Sequence, residues 1–464
     1  MRGAILLGVN RQDNPQSSGK GYRHPVTASL SRRFTRLAAI NVASNLLVPL
    51  AGLVDVAILG HLDDVRHLAG VALGAVIFDY LLWTVGFLRM GTVGPTARAA
   101  GRQDVVETQA ILVRGLGVAA VLGGGLLLAS GWLSSAGFGL LAGTPVVEEA
   151  GRAYVAARFW GVPCAAGSMV LLGWFLGQEQ AGRALVMTAV GSLTNIALDV
   201  WFVWGLGWGA EGAGWATAAS QALTLATGLA LAAPALRHRA GVWARARDPG
   251  ALQELAGLSR DIVIRTFFLV TVFATFTSLS AGMGTLVLAG NAVLIKLLGA
   301  GAWLIDGYAF ATETLAGQAD GAGDRRGLRR ILALSVGASV TTGLVLSSAL
   351  VLAPGPVLGL LTDQAPVLAE ATRHVLWLFP VLGVGSAAYA LDGYFIGLTA
   401  GRTLRRAMAI SALIGFVPLA TWAWRDSDPT RLWAALAVFM VLRVLTLGVA
   451  VPGTLRDEGS TPAA

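Results

Sequence analysis

The chain reads as apolar runs of about twenty residues, broken by short polar intervals rich in Arg, Gly, Asp and Pro. A helix needs about 20 apolar residues to cross ~30 Å of hydrocarbon. Twelve runs of that kind predict helices near 37–62, 68–90, 108–133, 153–177, 184–206, 212–234, 262–282, 285–312, 331–353, 374–397, 404–424 and 432–451. The polar intervals carry an asymmetric charge. With the N-terminus on the inner side, 23 of the 34 Lys and Arg fall on inner segments, 5 on outer segments and 6 within the spans. Basic residues favour cytoplasmic loops, so both termini are expected in the cytoplasm.

The pattern also repeats. One constant shift along the chain lays "LAG" at 68–70 on "LAG" at 288–290, Trp83 on Trp303, "RAAGRQD" at 98–104 on "QADGAGD" at 318–324, and "GWFLG" at 173–177 on "GYFIG" at 393–397. The shift moves six spans, an even number, so the copies keep one membrane orientation and are related by an axis along the normal. The expected fold is an all-α polytopic membrane protein, twelve transmembrane helices in two six-helix lobes. The divisions are a disordered cytoplasmic tail at 1–34, a lobe at 35–234, an inter-lobe linker at 235–260, a second lobe at 261–452 and a tail at 453–464. Transporters with parallel repeats commonly bind substrate between the halves and rock one against the other.

Composition supports the membrane reading and removes other classes. Of 464 residues, 55% are hydrophobic and 13% charged, with mean hydropathy +0.67, whereas a soluble domain is about 25% charged. The net charge of +8 sits where topology needs it, which favours anchoring at anionic lipid and gives no reason to expect nucleic acid. Cys164 is the only cysteine, so intramolecular disulfides and cysteine metal clusters are excluded. The histidines, His24, His61, His67, His238 and His374, have no ligand spacing, HExxH is absent and no GxxxxGK[ST] occurs. Neither a metalloprotease nor a nucleotide-driven pump fits. No enzyme, cofactor or resident metal is expected.

Candidate chemistry therefore lies in the acids within the spans: Asp55, Asp79, Asp199, Asp306, Glu313 and Asp392. Charges there are costly and usually face a cavity or a partner. Asp55 and Asp199 each lie seven residues from the outer end of an outward-running span, about 10 Å at 1.5 Å per residue. Helical periodicity places Asn41 and Ser44 near the direction of Asp55, with Asn45 on the flank, and Ser192 and Asn195 on the face of Asp199. Pro49 removes a backbone hydrogen bond from span 1 and is a candidate hinge. An acid away from water and near a second acid favours its neutral form, so it can carry a proton and report its loss. The bland reading, hydrogen bonds between packed helices, is preferred for Asn41, Ser44 and Ser192. Arg89, Glu313, Arg114, Arg158, Arg265 and Arg443 read as snorkelling residues or carbonyl caps.

The motifs "PLAGLVDVAILGHL" in span 1, "GFLRMGTVGPTARAAG" at 86–101, "RFWGVPCAAGSMVLLGWFLGQ" in span 4, "NIALD" at 195–199, "RDIVIRTFF" at 260–268 and "GNAVLIKLLGAGAWLIDGYAFATETLAGQADGAG" from span 8 onward resemble the DinF branch of the MATE (multidrug and toxic compound extrusion) transporters. The resemblance covers about 35–450. It implies two six-helix lobes, a central cavity opening alternately to each side, and export driven by a proton or sodium gradient. It makes Asp55 the principal coupling carboxylate, with Asn195 and Asp199 completing its cluster. Sodium-coupled relatives of the NorM branch use acids in spans 7 and 10, whereas span 7 has none in its interior and span 10 offers only Asp392, so H⁺ is favoured over Na⁺. Asn45, Asp79, Lys296, Asp306 and Tyr308 are candidate cavity residues, with Trp83 and Trp303 as candidate aromatic walls. Lys296 sets the site apart from a receptor for generic organic cations. The expected protein is a monomeric exporter of small amphipathic molecules in the bacterial inner membrane. A lipid-intermediate flippase of the same superfamily and a Na⁺-coupled exporter are the alternatives.

Overall fold

The computed structural model describes residues 29–62, 64–141, 143–236 and 241–455. Most of the expected tails therefore lie outside the described residues. Every regular element among those described is a helix. The first half contains α1 (Leu30–Gly60), α2 (Val65–Val85), α3 (Phe87–Gly101), α4 (Val105–Leu128), α5 (Ser130–Leu140), α6 (Pro145–Phe159), α7 (Val162–Gly177), α8 (Ala181–Asp199) continued by a π-helical turn (Val200–Gly205), and α9 (Gly209–Leu236). A short helix, α10 (Val242–Ala246), leads into the second half. That half holds α11 (Pro249–Gly282), α12 (Thr285–Gly321), α13 (Arg325–Leu352), α14 (Pro354–Leu358), α15 (Ala365–His374), α16 (Ser386–Gly397), α17 (Gly401–Ile410), α18 (Val417–Asp426) and α19 (Pro429–Thr454).

Ten helices among the described residues are long and apolar enough to cross a membrane, and α6 with α7, bent by 52°, form an eleventh span. The place of predicted span 2 is taken by α2 and α3, broken at Gly86. The side chain of Trp83 lies outside the described residues. Several boundaries differ from expectation; span 1 starts at Leu30, inside the stretch read as a disordered tail, with Phe34 buried. Span 7 starts at Pro249, inside the stretch read as linker, because Asp248 accepts from the amides of Gly250 and Ala251 at 3.4 and 3.2 Å. An Asp N-cap before a Pro at the first helical position is a strong start signal. Span 8 runs on to Gly321, well past the apolar stretch ending at 312, because its last turns are buried against the other half.

The repeat is visible in the backbone. Gln103 and Gly323, with φ of 59° and 71°, occupy the left-handed region at positions that the internal shift lays on each other, and so do Glu179 and Thr399, with φ of 60° and 57°. Asp104 caps α4 by accepting from the Glu107 amide at 3.0 Å, and Asp324 caps α13 through the Gly327 amide at 2.7 Å. The contacts between the halves are reciprocal as well. A Cβ on Gly101 would lie 2.1 Å from the Gln318 carbonyl oxygen, and one on Gly321 would lie 2.1 Å from that of Arg98. Such i-to-j and j-to-i contact marks a two-fold relation, and small residues permit the close approach.

These contacts lie at the end of the bundle that carries most of the basic residues. There one apolar cluster draws on both halves, with Val93, Trp174 and Phe175 beside Leu315, Leu391 and Tyr394. Toward the other end the core divides: Phe78, Phe138 and Phe159 belong to one cluster and Phe276, Trp433 and Phe439 to another. The halves are thus fused at the basic end and separate beyond the crossing of α1 with α12, where Asn45 Nδ2 donates to the Trp303 carbonyl at 3.3 Å.

Candidate functional site

Asp55 and Asp199 are brought together. Asp55 is on α1 past Pro49, which sits inside one continuous helix, and Asp199 is the last residue of α8 before the π-helical turn. Their carboxyl groups lie close enough to act directly on each other. Asp199 is 1% exposed. Asp55 Oδ1 and both Asp199 carboxyl oxygens are buried without a hydrogen-bond donor among the described residues. A hydrogen bond between two carboxyls needs a proton on one of them, so the arrangement is that of an acid pair able to hold one.

The backbone explains how the pair is held. In the π-helical turn the Leu206 amide reaches back five residues to the Trp201 carbonyl at 2.9 Å. Such wide turns recur at functional sites in helices. Trp204 Nε1 donates to the Ile58 carbonyl at 3.2 Å, tying the turn to α1 less than one turn beyond Asp55. Asn195, one turn before Asp199, is 9% exposed, and its Nδ2 is buried without an acceptor. Ser44 donates to Thr188 Oγ1 at 3.1 Å, packing α1 on α8.

The arginine nearest the pair corrects the snorkelling reading. Arg158, on α6, donates from Nη1 to the Tyr154 hydroxyl at 2.5 Å and sets its guanidinium 4.3 Å from the Phe78 ring centroid. It lies within electrostatic range of Asp55 and Asp79 without an ion pair to either. Lys296, exposed on α12, is within range of Asp79 across the gap between the halves. A cavity of about 490 Å³ opens at Asp79, lined also by Val76, Tyr80, Phe273, Thr277 and Ser278, while Arg158 and Lys296 are not among its lining residues. Trp303 is 44% exposed.

Asp306 and Tyr308 lie apart from that group. Asp306 is ten residues beyond Lys296 on α12, about 15 Å along a helix, within range of Arg89, Glu313, Arg265 and Asp392. Tyr308 stacks on Phe34 with centroids 6.3 Å apart and accepts from Thr342 Oγ1 at 3.2 Å. The candidate cavity residues thus divide into Asp79 and Lys296 at the open end and Asp306 and Tyr308 toward the fused end.

Three more snorkelling assignments are replaced by buried ion pairs. Arg265 of α11 and Arg443 of α19 both donate to Asp392 Oδ2 of α16, the second at 2.6 Å. Arg89 of α3 meets Glu313 of α12 across the lobe boundary at 2.8 and 3.3 Å, with its guanidinium 3.9 Å from the Phe310 centroid. Arg114 does cap carbonyls, donating to Arg245 O at 2.8 Å and Ala246 O at 3.4 Å, besides pairing with Glu107. These partners lie far apart in sequence. The signal present in the chain was the number of arginines within spans, each needing an acceptor.

Comparison with known proteins bears on the whole chain. The model of the MatE family matches residues 42–201 and again 262–421, so the two matches are equal in length and stand at the spacing of the internal repeat. The chain is 35% identical over 423 residues to DNA damage-inducible protein F of Escherichia coli (strain K12), covering 90% of this chain and 91% of that protein. Among solved structures, MATE in complex with MaD3S superposes with a TM-score of 0.82 at 19% identity, over 92% of this chain and 96% of that one. A multidrug resistance MATE family transporter of the MOP superfamily in an outward-facing conformation gives 0.79 at 18% identity, over 92% and 96%.

Proposed function

The chain belongs to the MatE family, and from that membership we propose that it is a proton-coupled exporter of the DinF branch, carrying small amphipathic organic molecules outward by alternating access. The coarser part follows from the family: it is a multi-pass membrane transporter of the multidrug and toxic compound efflux class. The proton coupling is our reading. One observation carries it: Asp55 and Asp199 meet where Asp55 Oδ1 and both Asp199 oxygens are buried with no protein donor among the described residues. An ion-paired carboxyl is held charged, whereas a pair of acids sharing a hydrogen bond gains and loses a proton.

In the proposed cycle the basic end faces the cytoplasm of a bacterial cell, both termini lie there, and the conformation described is open to the outside. A proton enters from the open end and neutralises the pair; α1 bends about Pro49, the cavity of the first half shrinks and the substrate leaves to the outside. One acid, Asp79, in a wall otherwise formed by Tyr80, Phe273, Thr277 and apolar side chains suits amphipathic molecules bearing a polar group. Proton release to the inside resets the pair. Nothing in the cycle calls for a second subunit, a cofactor or a nucleic acid.

The test is transport by purified protein in proteoliposomes under an imposed pH gradient. Asp55→Asn is expected to lower gradient-driven efflux at least tenfold, while exchange of Na⁺ for K⁺ at fixed gradient leaves the wild-type rate unchanged. Wild-type speed in Asp55→Asn would remove the coupling role, and a rate that follows Na⁺ would transfer it to the sodium alternative.

A further inference from the structure

We propose that a cavity at the basic end, distinct from the gap between the lobes at the open end, binds a phosphate-bearing anion. The cavity measures about 800 Å³ and is walled by both halves of the molecule. Arg98, Arg102 and Arg114 line it from the first half, Arg260 and Arg402 from the second. Basic residues at this end are expected from topology alone, but these converge on a cavity, and two of them enter no ion pair among the described residues.

The pairing of charges shows which groups are available. Arg98 meets Asp320 at 2.8 Å, Arg114 meets Glu107 at 3.4 Å, and Arg260 meets Asp261 at 3.4 Å. Asp261 is held more closely by Arg405, at 2.7 Å, so Arg260 is loosely engaged. Arg102 and Arg402 are exposed on the cavity and enter no ion pair or side-chain hydrogen bond among the described residues. Glu254 is likewise unpaired there, on the wall formed by the start of α11.

Guanidinium forks suit phosphate oxygens, which accept two parallel N–H bonds from one side chain. Basic pockets between transmembrane helices on the cytoplasmic side are where phospholipid head groups lodge. The same chemistry would admit a soluble phosphate compound. An anion between Arg102 and Arg402 would link the halves where they are already fused, and so favour that arrangement over one in which they part.

The experiment is thermal unfolding of the full chain in dodecyl maltoside, read by tryptophan fluorescence. Phosphatidylglycerol, phosphatidylcholine, or phosphatidylcholine with inorganic pyrophosphate is added. Wild type is compared with Arg102→Gln/Arg402→Gln and with Arg326→Gln/Arg329→Gln, an equal loss of charge at exposed positions of α13 outside the cavity. Phosphatidylglycerol is expected to raise the wild-type midpoint by about 3 °C over phosphatidylcholine, the cavity variant to lose at least half of that rise, and the α13 variant to keep it. A response confined to pyrophosphate and lost in the cavity variant supports the site with a soluble occupant. Equal responses of the two double variants, or no response of the wild type to either anion, would overturn the proposal.

Discussion

Asp199 and Asp392 are both acids on membrane-embedded helices, 1% and 5% exposed, yet they are surrounded by opposite kinds of neighbour. Asp199 has another carboxyl for company and no basic group in contact among the described residues. Asp392 accepts from two arginines through one oxygen. The internal shift lays Asp199 on Leu419 and Leu172 on Asp392, so the two acids are not repeat counterparts and the shared backbone plan does not decide their chemistry. The side chains from adjacent helices do. Asp392 has a guanidinium from each of two helices on one oxygen, whereas the proton exchange proposed above needs acids without such partners.

The contrast is open to attack at several places. The largest effect is expected from Asp392→Asn, which leaves two buried arginines without their carboxylate. Breaking a buried pair by removing one partner costs about 3–5 kcal/mol, so a marked fall in the unfolding midpoint in detergent is expected; an unchanged midpoint would show that the clamp is not structural. Next is the Arg89–Glu313 pair, 2.8 Å apart across the boundary. A double-mutant cycle with Arg89→Gln and Glu313→Gln, read as unfolding free energy, should return a coupling of about 1–3 kcal/mol, and additivity would show the pair to be idle.

For the first half the direction reverses. Asp199→Asn removes an acid with unpartnered oxygens, so the midpoint should hold or rise slightly while gradient-driven transport falls at least tenfold. A fold as damaged as that of Asp392→Asn would erase the difference between the two sites. The smallest effect belongs to the paired caps at the basic end. The Glu107 amide, and then Arg245, hold the Asp104 carboxyl below its usual range. Its folded value being the lower one, the contribution of Asp104 is present above the unfolded value and lost as pH falls through the folded value. Asp104→Asn should cost about 1 kcal/mol at most, and only at pH above that window, as measured by unfolding at pH 7 and in acid. Asp324, the counterpart cap, has no arginine partner among the described residues, and Asp324→Asn should cost less than Asp104→Asn in the same measurement at pH 7.

Much of this was legible in the chain. Apolar runs of spanning length, the excess of arginine in alternate intervals, Asp before the first turn of α4, α11 and α13, and the constant shift between the halves are all local or periodic signals, and each reappears in the structure. Asp55 and Asp199 also stood out, because an acid at matching depth in two helices of one lobe is costly and therefore informative. The arginines misled. Near the end of an apolar run an arginine that reaches for water and one that reaches for an acid on another helix look alike, and Arg265 is 127 residues from Asp392 while Arg89 is 224 from Glu313.

The sequence by itself determined that helices cross the membrane, which end is basic, that two halves are copies, and which acids stand inside, because hydrocarbon forces each backbone to satisfy its own hydrogen bonds segment by segment. Only the tertiary structure decided that Asp55 faces Asp199, that Asp392 is clamped, that the halves fuse at one end, and that Arg102 and Arg402 share a cavity. Those outcomes depend on the rotation and neighbours of each helix, which are set by close packing among residues hundreds of positions apart.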